Sequence, residues 1–293
     1  RVLAKYGLLV LSKTRRIGLQ EMFKVGRIAI DENNLPDAQK VAFQIAPRIN
    51  AAGRMDHASI SYSLMIEKDR IKAREMALAV ESKNQERQKV TSEIVREVEI
   101  IAQNSFKDKK FIFAASPHWP VGILGLVAGK IADQFRRPTI VCQKQENDYV
   151  GSLRSIPEVD LMQILRLCSS SIKKFGGHSQ AAGMTVGNDK VEEFYARFEE
   201  CLEEKMKGIE IRNILEADME ISPEDINWDL TKEIGQMEPF GEGNPEPVFL
   251  MRNLIIVEIR KVGNGNGHLK MSLRAENGSP KIFEAIGFRF GSK

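Results

Sequence analysis

The sequence has few of the residues that cross-link or anchor a protein. Its three cysteines, Cys142, Cys168 and Cys201, are widely spaced, and no CxxC pair occurs. An odd set of this kind indicates neither a disulfide framework nor a zinc site, so we interpret all three as small core residues. No apolar run approaches the roughly 20 residues that cross a bilayer, and the first residues are charged too early for a signal peptide. We therefore expect a cytoplasmic protein with no membrane partner.

An excess of charge of one sign is also absent, because the net charge is only +3 over 293 residues. So small an excess does not diagnose a nucleic-acid partner by itself. Its distribution is more informative, since basic residues predominate between Lys109 and Lys174, whereas the predicted helix at 189–204 is strongly acidic. We expect one face of the middle of the chain to be positive. The hydrophobic content of 42% is that of an ordinary globular protein.

A glycine pair stands out at the start of the string GGHSQAAG. Gly176 and Gly177 precede His178 and lie between a helix predicted for 160–174 and an apolar run typical of a strand. A bare glycine pair permits positive φ and lets a phosphate approach the backbone without meeting a Cβ. The pattern predicts a turn that presents His178. From the residues alone, a glycine pair followed by histidine is more often a purely structural tight turn.

A second group of donors lies in FQIAPRINAAGR, residues 43–54. Pro47 interrupts the helical pattern, and three small residues permit close backbone approach beside Arg48, Asn50 and Arg54. The planar guanidinium suits a terminal phosphate with several free oxygens. The alternative for either arginine is a pair with a carboxylate.

A third candidate is the string YVGSLRSIP at 149–157, which is typical of a strand that runs into a turn. Ser152 and Arg154 are two residues apart, so they point to the same side of an extended chain. A hydroxyl and a guanidinium placed together bind one phosphate well. Without further information, a surface turn explains the same residues.

The intervening segments predict the organisation of the chain. Residues 68–104 contain neither proline nor glycine and carry apolar residues at helical spacing, which predicts one long amphipathic helix. A strand at 111–115, a glycine-bearing helix and a strand at 139–141 form the outline of a βαβ unit with a parallel sheet.

Beyond Gly208, short alternating runs separated by glycine turns predict a small β-barrel, for which an OB-fold is the obvious candidate. Lys270 and Arg274 occupy alternate positions of one predicted strand. They are candidate cations for following a nucleic-acid backbone.

Five strings in order along the chain resemble segments of the RecJ family of DHH phosphoesterases: PRINAAGR, WPVGILGLVAGKI, GSLRSIP, GGHSQAAG and PFGEGNPEPVF. GGHSQAAG is similar to the GGHxxAAG signature of the DHHA1 domain, and NQERQ at 84–88 is similar to the connector helix of the family. One departure is that Pro120 and Val121 stand where the family has His and Pro, so we do not transfer the role of that histidine to His118.

The resemblance implies an α/β plus β fold in four parts. These are the C-terminal part of a DHH domain (1–67), a connector helix (68–108), a DHHA1 domain (109–207) and an incomplete OB-fold-like β-barrel (208–293). It also implies a 5′–3′ exonuclease specific for single-stranded DNA that acts in recombination and repair. In such enzymes two Mn²⁺ or Mg²⁺ ions are bound by Asp and His of the DHH domain.

The resemblance further implies the roles of individual residues. Ser152 and Arg154 would hold the 5′ phosphate with help from Arg48 or Arg54. The other expected contacts to DNA are Asn50, Gly176, Gly177, His178, Lys270 and Arg274.

We expect neither a catalytic residue nor a metal ligand in this chain. Asp56 and His57 lack the second histidine of a DHH motif, so we interpret Asp56 as the start of a helix. The chain lacks an initial Met and stops within a predicted strand, and we expect a fragment that does not cleave DNA alone. Protein partners in replication or repair are unspecified. Two alternatives remain: a phosphodiesterase of short oligonucleotides or cyclic dinucleotides, and a non-catalytic single-strand-binding scaffold.

Overall fold

One helix of 36 residues, α6 (Arg70–Ser105), runs through the larger of two compact units in the computed structural model. The structure describes residues 1–31, 34–209, 211, 214–276 and 281–291. One unit comprises Leu8–Arg212, and the other comprises Arg1–Gly7 with Asn213–Lys293. At 1.5 Å per residue α6 is about 54 Å long. It begins at the N-cap Asp69, whose carboxylate accepts the first free amides, and it confirms the helix predicted for 68–104.

Short helices pack around the N-terminal half of α6. Their shared core contains Met22, Phe23, Ile45, Leu64 and Val80. Of the helical elements before α6, α2 (Ile17–Val25), α4 (Ala46–Met55) and α5 (Ser59–Ile66) contact it, and the others are α1 (Val2–Ser12), α3 (Ala38–Lys40) and a π-helical turn (Val41–Ile45). In the described ranges, no helix combines the length and apolarity that a membrane crossing requires.

Pro47 does not interrupt this helical region, contrary to our expectation. It lies in the first turn of α4, where the backbone N–H that proline lacks would be unpaired in any case. The π-helical turn immediately before it absorbs one extra residue, and the N–H of Ala46 donates to the carbonyl of Val41. Residues 43–54 are therefore helical.

A five-stranded sheet separates two further layers of helices. Its strand order is β1-β2-β3-β5-β4, with β1 and β2 parallel and every other neighbouring pair antiparallel. The predicted βαβ unit is thus confirmed for β1, α7 and β2. One face packs on α6 and α7, and the other packs on α8 and α9. The bounds are β1 (Ile112–Ser116), α7 (Val121–Phe135), β2 (Thr139–Lys144), β3 (Asp148–Arg154), α8 (Leu161–Leu167), β4 (Lys174–His178), β5 (Ala181–Gly187) and α9 (Val191–Lys205).

The helix predicted for 160–174 was too long. After α8 a serine run forms a single 3-10 turn, Ser169–Ser171, in which the hydroxyl of Ser171 donates to the carbonyl of Cys168 at 3.0 Å. Serine hydroxyls compete for backbone groups in this way and shorten helices. The chain then enters β4, so the glycine pair lies within a strand rather than in a turn.

The three cysteines are free and buried, as expected of core residues. Cys142 lies on β2, and Cys168 and Cys201 belong to the same core on the α8 and α9 side of the sheet. Burial raises the pKa of the Cys142 and Cys168 thiols to about 12.

The second unit is mainly β. Its strands β8 (Leu254–Val262), β9 (His268–Ala275) and β10 (Ile282–Gly287) form an antiparallel sheet in the order β10-β9-β8. β6 (Met219–Glu220) pairs with β7 (Phe249–Leu250), and one helix that we did not predict, α10 (Trp228–Met237), lies between them in sequence. Within the described part of the chain, no sheet closes into a barrel. The strand predicted for 209–221 includes residues 210, 212 and 213, which lie outside the described residues.

Candidate phosphate-binding pocket

Strand β3 brings Ser152 and Arg154 together on the face of the sheet that is covered by α7. The Nη1 of Arg154 donates to the Oγ of Ser152 at 3.1 Å and to the carbonyl of Leu153 at 2.8 Å. A Cβ added to Gly125 of α7 would lie 2.9 Å from the Nη2 of Arg154 and 3.1 Å from the Oγ of Ser152. The absence of a side chain at Gly125 therefore lets both donors pack directly against α7.

A second glycine of α7 brings Arg54 to the same region. A Cβ added to Gly122 would lie 2.1 Å from the backbone oxygen of Arg54, so only glycine permits this approach of α4 to α7. The Nη1 of Arg54 donates to the carbonyl of Gly122 at 3.0 Å. The two arginines of the predicted site, 54 and 154, are thus neighbours although they are far apart in sequence.

Helix α6 contributes a third arginine that our sequence reasoning missed. Arg87 borders a cavity of about 620 Å³ together with Arg154. Its Nη2 donates to the Oδ1 of Asn84 at 3.0 Å, but its Nε is buried without a partner, as is the Oγ1 of Thr91. The cavity is also lined by Gln88, Thr91, Ser92, Gly125, Leu126, Gly129, Lys130 and Asp133. We call this cavity the arginine pocket.

The arginine pocket is electrostatically suited to an anion. Burial, and secondarily the charge of Arg54, lowers the pKa of Arg154, and the same two causes lower the pKa of Arg87. A guanidinium nevertheless stays protonated at neutral pH. Among the described residues, no carboxylate lies within ion-pairing distance of any of these three arginines. A bound anion would relieve their mutual repulsion.

The register of the sheet places His178 on the same face as Arg154. Arg154 lies opposite Ala181, and Ala181 lies opposite His178, so the three form one row across β3, β5 and β4. Directly paired residues project to the same side of a sheet. Two strand spacings separate the ends of this row by about 10 Å.

A parallel row starts at Ser152, and its other two members are glycines. Ser152 lies opposite Gly183, and Gly183 lies opposite Gly176. Both glycines are exposed, and a Cβ added to Gly176 would have no neighbour within 4 Å. The two glycines and the small Ala181 form a surface with few side chains, which we call the glycine floor and which leads from Ser152 and Arg154 to the edge strand β4. Gly183 was not among our predicted site residues, although it is part of the AAG string.

Gly177 has a structural role in the connection between β4 and β5. Its φ is +150°, and an added Cβ would lie 2.3 Å from the carbonyl oxygen of Ala181. The tight β4–β5 connection therefore requires glycine at this position. The backbone N–H of Ser155 and that of Leu161 donate to the connecting residues, Gln180 and Ser179, at 3.0 and 2.8 Å.

Arg48 does not face the arginine pocket, contrary to our expectation. Its Nε donates to the Oε2 of Glu81 at 2.6 Å, and its Nη1 donates to the carbonyl of Gln44 at 2.7 Å. The side chains of Arg48 and Glu81 are only 14% and 16% exposed. This ion pair ties α4 to α6, which corresponds to the carboxylate-pairing alternative.

Replacing Arg48 with methionine should therefore lower stability and leave DNA binding unchanged. We expect a loss of about 1–3 kcal/mol in the free energy of unfolding, because Glu81 keeps only the weaker donor Gln85 at 3.2 Å. Urea denaturation measures the loss. The double variant Arg48→Met with Glu81→Leu should lose less than the sum of the single variants, and strict additivity would contradict a coupled pair.

Asn50 borders a different cavity, of about 510 Å³, on the far side of Arg54. This cavity is largely apolar and includes Tyr62 and Met65. Arg54 borders it as well. The structure thus brings Asn50 near Arg54 but not near Arg154.

Lys270 and Arg274 both lie on β9, in the other compact unit. The Nζ of Lys270 lies 2.7 Å from the Oε2 of Glu284, and this hydrogen bond, followed by one from Ser272, lowers the pKa of the Glu284 carboxyl. Lys270 thus has a carboxylate neighbour at the surface, and its role as a backbone-binding cation stays a prediction. Arg274 is exposed and lies opposite Ile255 and Ile282, which are aliphatic.

The residues present do not fit a metal centre. Within residues 1–31, 34–209, 211, 214–276 and 281–291, no group of three or more His, Cys, Asp or Glu side chains could hold an ion. Asp56 follows the end of α4 rather than starting a helix, which corrects our interpretation, and it lies 3.7 Å from the Nζ of Lys83. The Nδ1 of His57 lies 2.7 Å from the Oγ of Ser59.

Comparisons with known proteins identify two domains in the chain. A family model described as DHHA1 domain matches residues 108–204, and one described as RecJ OB domain matches residues 217–293. The single-stranded-DNA-specific exonuclease RecJ of Bacillus subtilis is 34% identical over 99% of this chain and 36% of its own length. The RecJ of Haemophilus influenzae is 30% identical over 100% of this chain and 52% of its own length.

A solved structure extends the similarity to three dimensions. The crystal structure of RecJ in complex with Mn²⁺ from Thermus thermophilus has a TM-score of 0.79 at 25% sequence identity. The similarity covers 98% of this chain and 43% of that one. The chain thus spans about a third to a half of the length of these relatives. The chain is similar to RecJ proteins in its sequence, its domains and its fold, and it belongs to the RecJ family.

Proposed function

We propose that the intact protein is a single-stranded-DNA-specific 5′–3′ exonuclease and that this chain binds the 5′ end of the strand. The observation that carries the proposal is the arginine pocket, which is lined by Arg154, with Ser152 hydrogen-bonded to Arg154 and Arg54 hydrogen-bonded to Gly122 of the adjoining helix α7. The relatives named above are single-stranded-DNA-specific exonucleases, so we expect the bound anion to be a phosphate of DNA.

A 5′-terminal phosphate suits this pocket better than an internal one. A phosphomonoester carries a charge of about −1.5 to −2 at neutral pH and presents three free oxygens. Guanidinium groups bind such oxygens through paired, charge-assisted hydrogen bonds. Arg154 and Arg54 provide these groups, and the Oγ of Ser152 lies beside them.

The glycine floor supports a path for the rest of the strand. His178, at its far end, lies about 10 Å from Arg154 across two strand spacings. The exposed surfaces of Gly176 and Gly183 let a sugar–phosphate backbone approach without meeting a side chain. An OB domain typically binds single strands by stacking and by charge, which supports the preference for an unpaired substrate.

We propose that divalent metal ions are required by the intact protein but are not bound by this chain. Solved RecJ structures from Thermus thermophilus contain Mn²⁺ or Mg²⁺. The described residues offer no suitable cluster of ligands, so we assign such ions to a part of the protein outside this chain. We also propose the cytoplasm as its location, and we assign no protein partner.

Binding measurements test the proposed site directly. We expect this chain to bind a 5′-phosphorylated oligothymidine more tightly than the same oligomer with a 5′ hydroxyl, because only the phosphate fills the arginine pocket. Fluorescence anisotropy with a 3′ label in metal-free buffer gives both dissociation constants. A 5′-phosphorylated blunt duplex serves as a control and should bind more weakly. Equal affinity for the phosphorylated and hydroxyl strands would falsify the assignment.

The chain alone is expected not to cleave DNA. Adding Mn²⁺ or Mg²⁺ to the chain and a 3′-labelled single strand should release no shortened products, because the described residues form no metal centre. Denaturing gels measure the products. Metal-dependent shortening that survives repurification and disappears in the Arg154→Ala variant would show that a catalytic centre lies within this chain after all.

A further inference from the structure

We propose that Arg87 and Thr91 of α6 are ligands of the terminal phosphate and make the arginine pocket selective for a phosphomonoester over an internal phosphodiester. This inference rests on the proposed function, because it assigns further residues to the same site. It gives a binding role to the long helix, which we identified from the sequence only as a connector.

Two buried donors without partners carry the argument. The Nε of Arg87 and the Oγ1 of Thr91 have no hydrogen-bond partner, and Thr91 is only 2% exposed. Buried polar groups of folded proteins are nearly always paired, so two unpaired donors at one place call for an explanation. Both residues line the arginine pocket, and they are four positions apart, on the same face of α6. A ligand with acceptor oxygens in the pocket would pair both.

The guanidinium of Arg87 is already held in place. Its Nη2 donates to the Oδ1 of Asn84 at 3.0 Å, and Asn84 is itself 1% exposed. A side chain fixed in this way loses less conformational entropy when it binds a ligand. This hydrogen bond leaves the charge of Arg87 uncompensated, because an amide oxygen carries no net charge.

The positive charges around the pocket outnumber its one carboxylate, which favours a dianion over a monoanion. Arg87, Lys130 and Arg154 line the pocket against one carboxylate, Asp133, and Arg54 adds its charge from α4. An internal phosphodiester has one negative charge and two free oxygens, whereas a terminal phosphomonoester has about two charges and three oxygens. Arg54 and Arg154 suffice for two oxygens. Arg87 and Thr91 are suited to the third, which only a strand terminus presents.

The experiment compares two dissociation constants for each variant of the whole chain. Arg87→Gln should reduce the ratio between 5′-hydroxyl and 5′-phosphorylated oligothymidine affinities by about tenfold, the loss of one charge-assisted interaction. Affinity for the hydroxyl oligomer should change little. The matched control is Arg96→Gln, which removes the same charge from an exposed position of the same helix and should leave the ratio unchanged. Thr91→Val removes only the hydroxyl and should lower the ratio by a smaller factor.

The outcomes separate this inference from the proposed function. If Arg154→Ala abolishes the ratio but Arg87→Gln and Thr91→Val leave it intact, the inference is wrong and the 5′-phosphate site stands. If none of the three variants changes the ratio, the arginine pocket does not bind the 5′ phosphate at all. Should Arg87→Gln fail to fold, as judged by circular dichroism, Thr91→Val decides the question, because valine nearly preserves the shape of threonine.

Discussion

Replacing Arg154 with alanine is expected to abolish the preference of this chain for a 5′-phosphorylated single strand. The side chain borders the arginine pocket, and its Nη2 lies 2.9 Å from the position that a Cβ of Gly125 would occupy. Charge-assisted hydrogen bonds contribute about 1.5–3 kcal/mol each, so the loss of one or two should weaken binding of the phosphorylated strand by about 10- to 10,000-fold. Anisotropy titrations of the phosphorylated and hydroxyl strands measure the effect.

Two controls distinguish a lost ligand from a lost fold. Arg166→Ala removes an exposed arginine at the end of α8 and should leave the preference intact. Circular dichroism of Arg154→Ala should match that of the parent chain, because removing one of three mutually repelling cations does not destabilise the pocket. A folded Arg154→Ala variant that keeps the full preference would refute the site.

Gly122→Ala is expected to destabilise the chain and to disrupt the arginine pocket together. The added Cβ would lie 2.1 Å from the backbone oxygen of Arg54, and a backbone atom cannot move aside as the end of a side chain can. Helices α4 and α7 must separate, which should lower the free energy of unfolding by about 3 kcal/mol, in the upper part of the range for overpacking. Urea denaturation checks the stability, and the oligothymidine titration checks the site.

Helix α7 also offers a control variant for which the expected change in stability has the opposite sign. Gly129 also borders the arginine pocket, but a Cβ there would meet only the Cγ of Arg154 at an ordinary distance of 3.9 Å. Gly129→Ala should therefore raise stability by about 0.5–1 kcal/mol, because alanine favours a helix more than glycine does. Equal losses in Gly122→Ala and Gly129→Ala would show that the close approach of α4 is not what requires glycine at 122.

The central part of the site was predictable from local geometry. Ser152 and Arg154 project to one side because any strand has a period of two, whatever it packs against. The role of Arg87 was not predictable in this way, since it depends on how α6 packs on α7. In the folded chain, Arg87 lines the same cavity as Arg154, and its Nε is buried without a partner.

Arg48 shows why nearness in sequence misled us. We treated residues 43–54 as an interrupted segment, in which Arg48 and Arg54 are free to face the same ligand. In a helix, six residues turn the chain by about 600°, so these two side chains point to different sides. The partner of Arg48, Glu81, lies 33 residues further along the chain, and no local pattern indicates it.

The fold was predictable to a similar extent. The 36 residues of α6 contain no helix breaker, so their pattern alone indicated the helix. Strand β4 was missed because its glycines suggested a turn, whereas the pairing with β5 that makes it a strand is a tertiary interaction. Helix α10 was missed because the alternation after Gly208 drew attention to strands, and its N-cap Asn227 was overlooked.

The orientation of the glycine floor bears on the direction in which a bound strand would run. Because Ser152, Gly183 and Gly176 belong to three adjacent strands, a polynucleotide above them crosses the strands instead of running parallel to them. The strands beneath it are about 4.8 Å apart, a distance fixed by backbone hydrogen bonds. Under the proposed function, the surface that a bound strand follows here is therefore set by the backbone of the sheet and not by side chains.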